Sequence, residues 1–226
     1  MKNSFLKFGI NLTDQQAEKF EKYYSLLIEY NNKFNITAIT NREEVIYKHF
    51  VDSALGVDKL IGGNLIDVGS GGGFPAIPLK IMNDELCVYL LEATGKKCEF
   101  LRAVINELDL KNVTVINDRA ETLAKNHEFR EKFDICTARA VARLNTLCEY
   151  CMPFVKKGGI FLSYKGDGKE EVNEAVNAIK ILGGEIKEVY EYSLLDAKRT
   201  LITIKKTAST PVKYPRGNGK ERKNPL

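Results

Sequence analysis

The sequence predicts an α/β fold, a doubly wound and mostly parallel sheet preceded by a helical extension. Three observations lead there. From residue 64 onward, short β-rich runs alternate with helical segments, the signature of parallel strands joined by helical crossovers. A glycine-rich turn, GSGGG at 69–73, follows the first hydrophobic run and opens a helical one, the place where such sheets meet a ligand. Two closing runs, 186–192 and 200–206, are separated only by a short polar segment. That gap is too short for a crossover, so they pair antiparallel.

Taken in order, the elements follow from spacing and capping. Ala17, Phe20, Tyr24 and Leu27 recur at helical spacing behind Thr13. Thr13 and Gln16 stand three apart, as a capping box requires. After a break at 31–40, the stretches 42–50 and 51–60 read as two shorter helices, ended by Gly62-Gly63. Strands are expected at 65–68, 87–91, 113–116, 133–137 and 159–164. Helices are expected at about 75–82, 95–108, 141–151 and 170–182, with Pro75 suited to a first helical turn. The sheet then closes on its hairpin, giving seven strands of which the last is antiparallel. The organisation is a helical extension over 1–62, a main domain over 63–206, and a Pro-, Gly- and Lys/Arg-rich tail over 207–226, expected to be extended and mobile.

At 226 residues and 44% hydrophobic content, the chain can bury a sizeable core. No apolar run approaches a membrane-spanning length, and the opening residues lack a signal-peptide core. A cytoplasmic monomer without membrane contact is the expectation. Five cysteines without scaffold spacing favour free thiols in a reducing compartment. Cys148 and Cys151 form a CxxC, but with no second pair of ligands nearby they read as core thiols, and no metal is assigned. The net charge is +4, unevenly spread. Seven basic residues, Lys205, Lys206, Lys213, Arg216, Lys220, Arg222 and Lys223, face only Glu221 after residue 204, which suggests a polyanionic partner.

The glycine turn narrows the ligand. Its spacing fits G-x-G-x-G, whereas a dinucleotide fingerprint needs a small residue where Phe74 stands, and no Lys-Ser/Thr follows to make a phosphate loop. Glu92 ends the second strand about twenty residues on, where a carboxylate accepts hydrogen bonds from ribose hydroxyls. Asp118-Arg-Ala120-Glu121 follows the third strand, placed to edge an adenine. A parallel sheet closing on an antiparallel hairpin is what Rossmann-like class I methyltransferase domains do. Together these features point to S-adenosyl-L-methionine as cofactor.

The target leaves weaker marks. The [ND]-P-P-[YF] motif of exocyclic-amine methylation is absent, the fourth strand ending instead in TARA at 137–140. No cysteine follows a proline, as a C5-pyrimidine nucleophile would. A nitrogen with an exposed lone pair, such as guanine N7, has no proton to lose and needs no general base. His49 and Asp52, one turn apart, read either as an acid/base pair or, preferably, as a helix-to-sheet lock. His127 falls in a polar loop and reads as non-catalytic.

The motifs YNNKFNITAI, HFVDSA, LIDVGSGGGFPAIPLKI, LLEATGKKCEFL, RAETLA, TARAVARL and YPRGNGKERKNPL together resemble the RsmG (GidB) family across nearly the whole chain. That family methylates guanine N7 in bacterial small-subunit (16S) ribosomal RNA. The resemblance implies that Gly69, Gly71 and Phe74 line the methionine side of the cofactor. By the same carry-over, Glu92 holds the ribose, Ala120 and Glu121 flank the adenine, and Arg139 sits at the mouth of the site, near cofactor and incoming base, in a catalytic or positioning role. At Gly72 many relatives carry proline, so a slightly looser turn is expected here. Phosphate contacts are expected from Lys213, Arg216, Lys220, Arg222 and Lys223, stacking from Tyr214, and an extension of the track from Lys165. The partner is then small-subunit rRNA or the 30S particle. The alternatives are a methyltransferase on another RNA or small molecule, and a non-catalytic RNA scaffold that binds the cofactor.

Overall fold

A computed structural model describes residues 1–60 and 62–226. The helical extension comprises α1 (Lys2–Leu6), α2 (Asp14–Asn31), α3 (Arg42–Val45) and α4 (Asp52–Ala54). The main domain then runs β1 (Asn64–Val68), α5 (Ala76–Met82), β2 (Cys87–Leu91), α6 (Gly95–Glu107), β3 (Val113–Ile116), α7 (Ala120–Leu123) and β4 (Phe133–Arg139). It continues through α8 (Leu144–Cys151), β5 (Val155–Lys165), α9 (Lys169–Ile181), β6 (Gly184–Leu194) and β7 (Ala197–Lys206), and α10 (Lys220–Lys223) lies near the end.

The seven strands form one sheet in the order β3-β2-β1-β4-β5-β7-β6. The first five run parallel, and β7 inserts antiparallel between β5 and β6. This is the predicted topology. β2 and β3 start and stop where their hydrophobic runs do. β5 extends farther back than expected, to Val155, because Val155 pairs with Phe133 across an irregularity in the β4–β5 register.

Alternation along β1 sends Leu65 and Ile66 to opposite faces, and each face carries its own core. Leu65 joins Phe20, Tyr23, Leu27 and Phe100, so α2 and α6 cover one face. Ile66 joins Leu147, Cys151, Ala178 and Ile179, so α8 and α9 cover the other. Cys148 and Cys151 are free thiols within that second core, and burial pushes both thiol pKa values up. The Thr13–Gln16 capping box forms as the spacing indicated.

Two expectations need correction. The stretches 42–50 and 51–60 do not form two separate helices. The chain stays helical from Arg42 to Ala54, opened by Asn41, whose side chain accepts from the backbone N–H groups of Glu43 and Glu44. No glycine or proline interrupts that run, and its middle, Ile46–Val51, widens into a π-helix, a geometry that often marks functional positions.

The segment 207–226 is not an extended, mobile tail. Tyr214 is buried against the second core at 6% exposure. The Arg130 guanidinium donates to the carbonyls of Thr210, Pro211 and Tyr214 as well as to its own neighbour Ala124. Composition indicated disorder, but buried partners on distant elements hold the segment in place.

Candidate active site

The glycine turn leaves the carboxyl end of β1, at the centre of the sheet. The Gly69 and Ser70 N–H groups donate to the Leu91 carbonyl at 2.8 and 3.1 Å, tying the turn to β2. Gly69 and Gly71 take φ values of +73° and +56°, the left-handed region where a side chain is strained. A Cβ on Gly69 would meet Val141 at 2.8 Å, whereas one on Gly71 would meet nothing closer than 3.8 Å. The first glycine is required by packing; the second leaves its outer side open to a ligand.

Glu92 braces this turn. Its carboxylate accepts from Gly71 N at 2.9 Å and Thr94 N at 2.8 Å, and Asn117 donates to its carbonyl at 2.9 Å. Beneath lies Asp67, fully buried. Thr137 donates to one of its oxygens at 2.7 Å, and the other has no partner among the described residues. Burial pushes its pKa up to about 7, against the pull of the Thr137 and Ser70 hydroxyls.

Beside the turn a cavity of about 300 Å³ is lined by Val68, Gly69, Leu91, Ala93, Asp118, Arg119, Ala120, Glu121, Val141, Tyr150, Gly219 and Arg222. It brings the expected Gly69, Ala120 and Glu121 together at the carboxyl ends of β1, β2 and β3. Its volume is that of a small-molecule site. Gly71 and Glu92, joined at the turn, are not among the residues that line the cavity.

Phe74 departs from the expectation. Its ring is stacked between Tyr23, at 5.4 Å, and His49, at 4.5 Å, with 6% exposure. The side chain does not line the cavity, because the aromatic core under the helical extension claims it. The Gly72 turn is not slack either: the Tyr23 hydroxyl donates to the Gly72 carbonyl, and Phe74 and Ile36 fill the space beside it.

Arg139 ends β4 and lies 4.8 Å over the Phe74 ring. It donates to the Lys48 carbonyl at 2.9 Å and to the Asp52 carboxylate at 3.0 Å, and it contacts His49 Nδ1 at 3.0 Å. The same nitrogen lies 3.1 Å from the Lys48 carbonyl, and Nε2 lies 2.9 Å from the Thr37 hydroxyl. Burial, then the neighbouring Arg139 charge, lowers the His49 pKa to about 3. The neutral ring has no free nitrogen for a substrate proton. Asp52 also accepts from the Tyr192 hydroxyl at 2.7 Å. His49 and Asp52 thus tie this helical stretch to the sheet through Arg139.

A second cavity, of about 370 Å³, opens on the other side of Arg139. Ile39, Asp52, Arg139, Ala140, Tyr164, Asp167 and Arg199 are among its walls. The segment from Arg139 to Val141 separates the two cavities, with Arg139 and Ala140 facing one and Val141 the other. Tyr150, Val141, Tyr164 and Arg199 carried no sequence signal, since each reaches a cavity only through the folding of distant strands and helices.

Three members of the expected basic track are engaged elsewhere. Lys165 donates to the Ala142 carbonyl at 2.7 Å and pairs with Glu171 at 2.8 Å, its side chain 9% exposed. Arg216 pairs with the buried Glu149 at 2.7 Å. Tyr214 is buried, with no free face for a base. Lys213, Lys220, Arg222 and Lys223 remain exposed.

A glycine turn at the end of β1, a cavity over β1–β3 and an antiparallel β7 define a class I methyltransferase fold. Solved structures share it: a precorrin-6y C5,15-methyltransferase from Geobacter metallireducens aligns with a TM-score of 0.53 at 15% identity, over 69% of this chain and 87% of that one. A geranyl diphosphate methyltransferase in complex with SAM aligns with a TM-score of 0.54 at 13% identity, over 69% and 84%. The chain belongs to the rRNA small subunit methyltransferase G (GidB) family, whose pattern it matches over residues 16–202. Relatives carrying the name ribosomal RNA small subunit methyltransferase G include one from Acetivibrio thermocellus, 49% identical over 97% of this chain and 92% of its own length. Another, from Lachnoclostridium phytofermentans, is 50% identical over 96% and 93%.

Proposed function

We propose that the chain, acting as a cytoplasmic monomer, transfers a methyl group from S-adenosylmethionine to N7 of a guanine in small-subunit (16S) ribosomal RNA, presented as RNA or in the 30S particle. The observation that carries this reading is the pair of cavities divided by the Arg139–Val141 wall. The first, of about 300 Å³ beside the glycine turn, suits an adenosine, and the second, of about 370 Å³, suits an unstacked base.

When bound, the cofactor supplies an electrophilic sulfonium methyl. The chain's residues supply position. Gly69 and Gly71 let the backbone approach the ligand, Glu92 offers its carboxylate to ribose hydroxyls, and Ala120 and Glu121 edge the adenine. Arg139, clamped by Asp52 and the Lys48 carbonyl, is a fixed cation in the wall of the second cavity, placed to orient the target. Guanine N7 carries no proton, so the transfer asks for no base. His49, neutral with both nitrogens engaged, fits that requirement. The apolar wall from Ile39 and Tyr164 suits a purine, and the exposed Lys213, Lys220 and Lys223 suit rRNA phosphates.

Nucleoside analysis of 16S rRNA from wild-type and deletion strains tests the reading, with radiolabelled methyl transfer to undermodified small subunits alongside. Loss of one 7-methylguanine in the deletion, restored by the purified protein, is the expected result. Retention of every 7-methylguanine would rule the target out.

A further inference from the structure

The basic C-terminal segment does more than carry charge past the end of the domain. It is pinned at four successive points. At its start, the buried Lys206 ammonium donates to the Met152 carbonyl at 2.7 Å and to the Thr210 hydroxyl, and pairs with Glu131 at 3.2 Å. In its middle, Arg130 gathers the carbonyls of Thr210, Pro211 and Tyr214. Farther on, Arg216 pairs with Glu149, a carboxylate with 1% exposure on α8. Glu221, also buried, accepts from Gly217 N and offers its carbonyl to the Thr146 hydroxyl at 3.0 Å.

These anchors deliver the turn around α10 to the cofactor cavity. Gly219 and Arg222 line it together with Asp118 and Glu121, across from the glycine turn. Among the described residues Arg222 forms no ion pair within 4.0 Å. Tyr150, another wall of the cavity, has its phenol pKa raised by burial, and the Arg222 charge opposes that shift. A cation at the rim of a partly apolar cavity, held on an anchored turn and free of a carboxylate partner, is suited to a π face or a polar ring edge. The same turn presents Lys220 and Lys223 to solvent, where phosphates would meet them.

We propose that Arg222 is a cofactor-binding residue that closes the adenosine side of the cavity, and that the α10 turn couples cofactor binding to RNA binding. One turn in contact with both ligands links the two binding equilibria, and linkage makes the effect of each on the other's affinity the same factor. The proposal rests on the assignment of S-adenosylmethionine to this cavity. It moves Arg222 from the RNA-contacting track to the cofactor.

Isothermal titration with S-adenosylhomocysteine, on full-length wild type, Arg222→Ala and Arg222→Lys, provides the test. With unchanged melting temperature, Arg222→Ala should weaken binding about tenfold, and Arg222→Lys should recover part of the loss. Binding of undermodified small subunits, measured with and without S-adenosylhomocysteine, should be tighter with it for wild type and indifferent to it for Arg222→Ala. Equal cofactor affinity in wild type and Arg222→Ala would overturn the role of Arg222 while leaving the proposed function intact. Subunit affinity unaffected by the cofactor in wild type would overturn the coupling. A wild type that binds no S-adenosylhomocysteine would instead remove the cofactor assignment itself, and this proposal with it.

Discussion

Arg139 and Asp52 meet at 3.0 Å, the guanidinium 13% and the carboxylate 3% exposed, and with the Arg139 contacts to the Lys48 carbonyl and His49 this pair joins β4 to the helical extension. Asp52 also receives the Tyr192 hydroxyl from β6 and faces Arg199 of β7 at 3.6 Å, so three strands, β4, β6 and β7, converge on it. Removing one member of a buried pair strands the other's charge, at a cost of about 3–5 kcal/mol. Asp52→Asn is therefore expected to lower stability on that order in urea denaturation, and to reduce methyl transfer because Arg139 loses its fixed direction. Tyr192→Phe removes only one hydrogen bond to a charged group, a loss of about 1.5–3 kcal/mol. An Asp52→Asn protein as stable and active as wild type would show that the clamp is incidental.

Glu92 is the next residue to test, because its carboxylate holds both Gly71 N and Thr94 N. Glu92→Gln keeps the size but discards the charge and one good acceptor. Hydrogen bonds to charged groups contribute about 1.5–3 kcal/mol, so cofactor affinity is expected to fall roughly ten- to a hundredfold. Calorimetric titration reads this directly, and an unaltered dissociation constant would remove Glu92 from the binding site.

Two buried titratable groups set opposite pH windows for stability. The Asp67 pKa stands at about 7 in the fold against roughly 3.9 when unfolded. A raised pKa means that its contribution is complete below about pH 4 and is lost as pH rises to about 7. Asp67→Asn should therefore gain on wild type across that interval, by on the order of 4 kcal/mol, and hold the gain at higher pH. His49 runs the other way: with its pKa lowered to about 3, its contribution is present above about pH 6.5 and declines as pH falls below that. His49→Gln should accordingly flatten the acid side of the stability profile. Urea midpoints measured from pH 4 to pH 8 separate the two effects, and curves parallel to wild type would refute both.

Along the C-terminal segment, folding and RNA contact should separate by residue. Tyr214→Ala empties a buried site, so a loss of about 3–5 kcal/mol is expected, visible as a lower melting temperature. Lys213→Ala and Lys220→Ala alter exposed cations. Each should leave the melting temperature alone and reduce the slope of log affinity for rRNA against log salt by roughly 0.7–0.9. A Tyr214→Ala protein with wild-type stability would contradict the buried position of that ring.

The amino-acid sequence by itself determined the α/β topology, the β2 and β3 boundaries, the glycine turn and the antiparallel close of the sheet. Each of these is written in local periodicity, turn chemistry or segment spacing. It also marked Gly69, Ala120 and Glu121, because their places at strand ends follow from the order of the strands. What only the tertiary structure decided depends on partners far along the chain. The Phe74 ring faces Tyr23 and His49 instead of the cavity, Lys165 is held by Glu171, and Arg216 is drawn down by Glu149, 67 positions away. A basic, Pro- and Gly-rich composition speaks for a mobile tail only while nothing buried claims it. Here Arg130, Glu149 and the second core do claim it, and they carry Gly219 and Arg222 to the rim of the cavity.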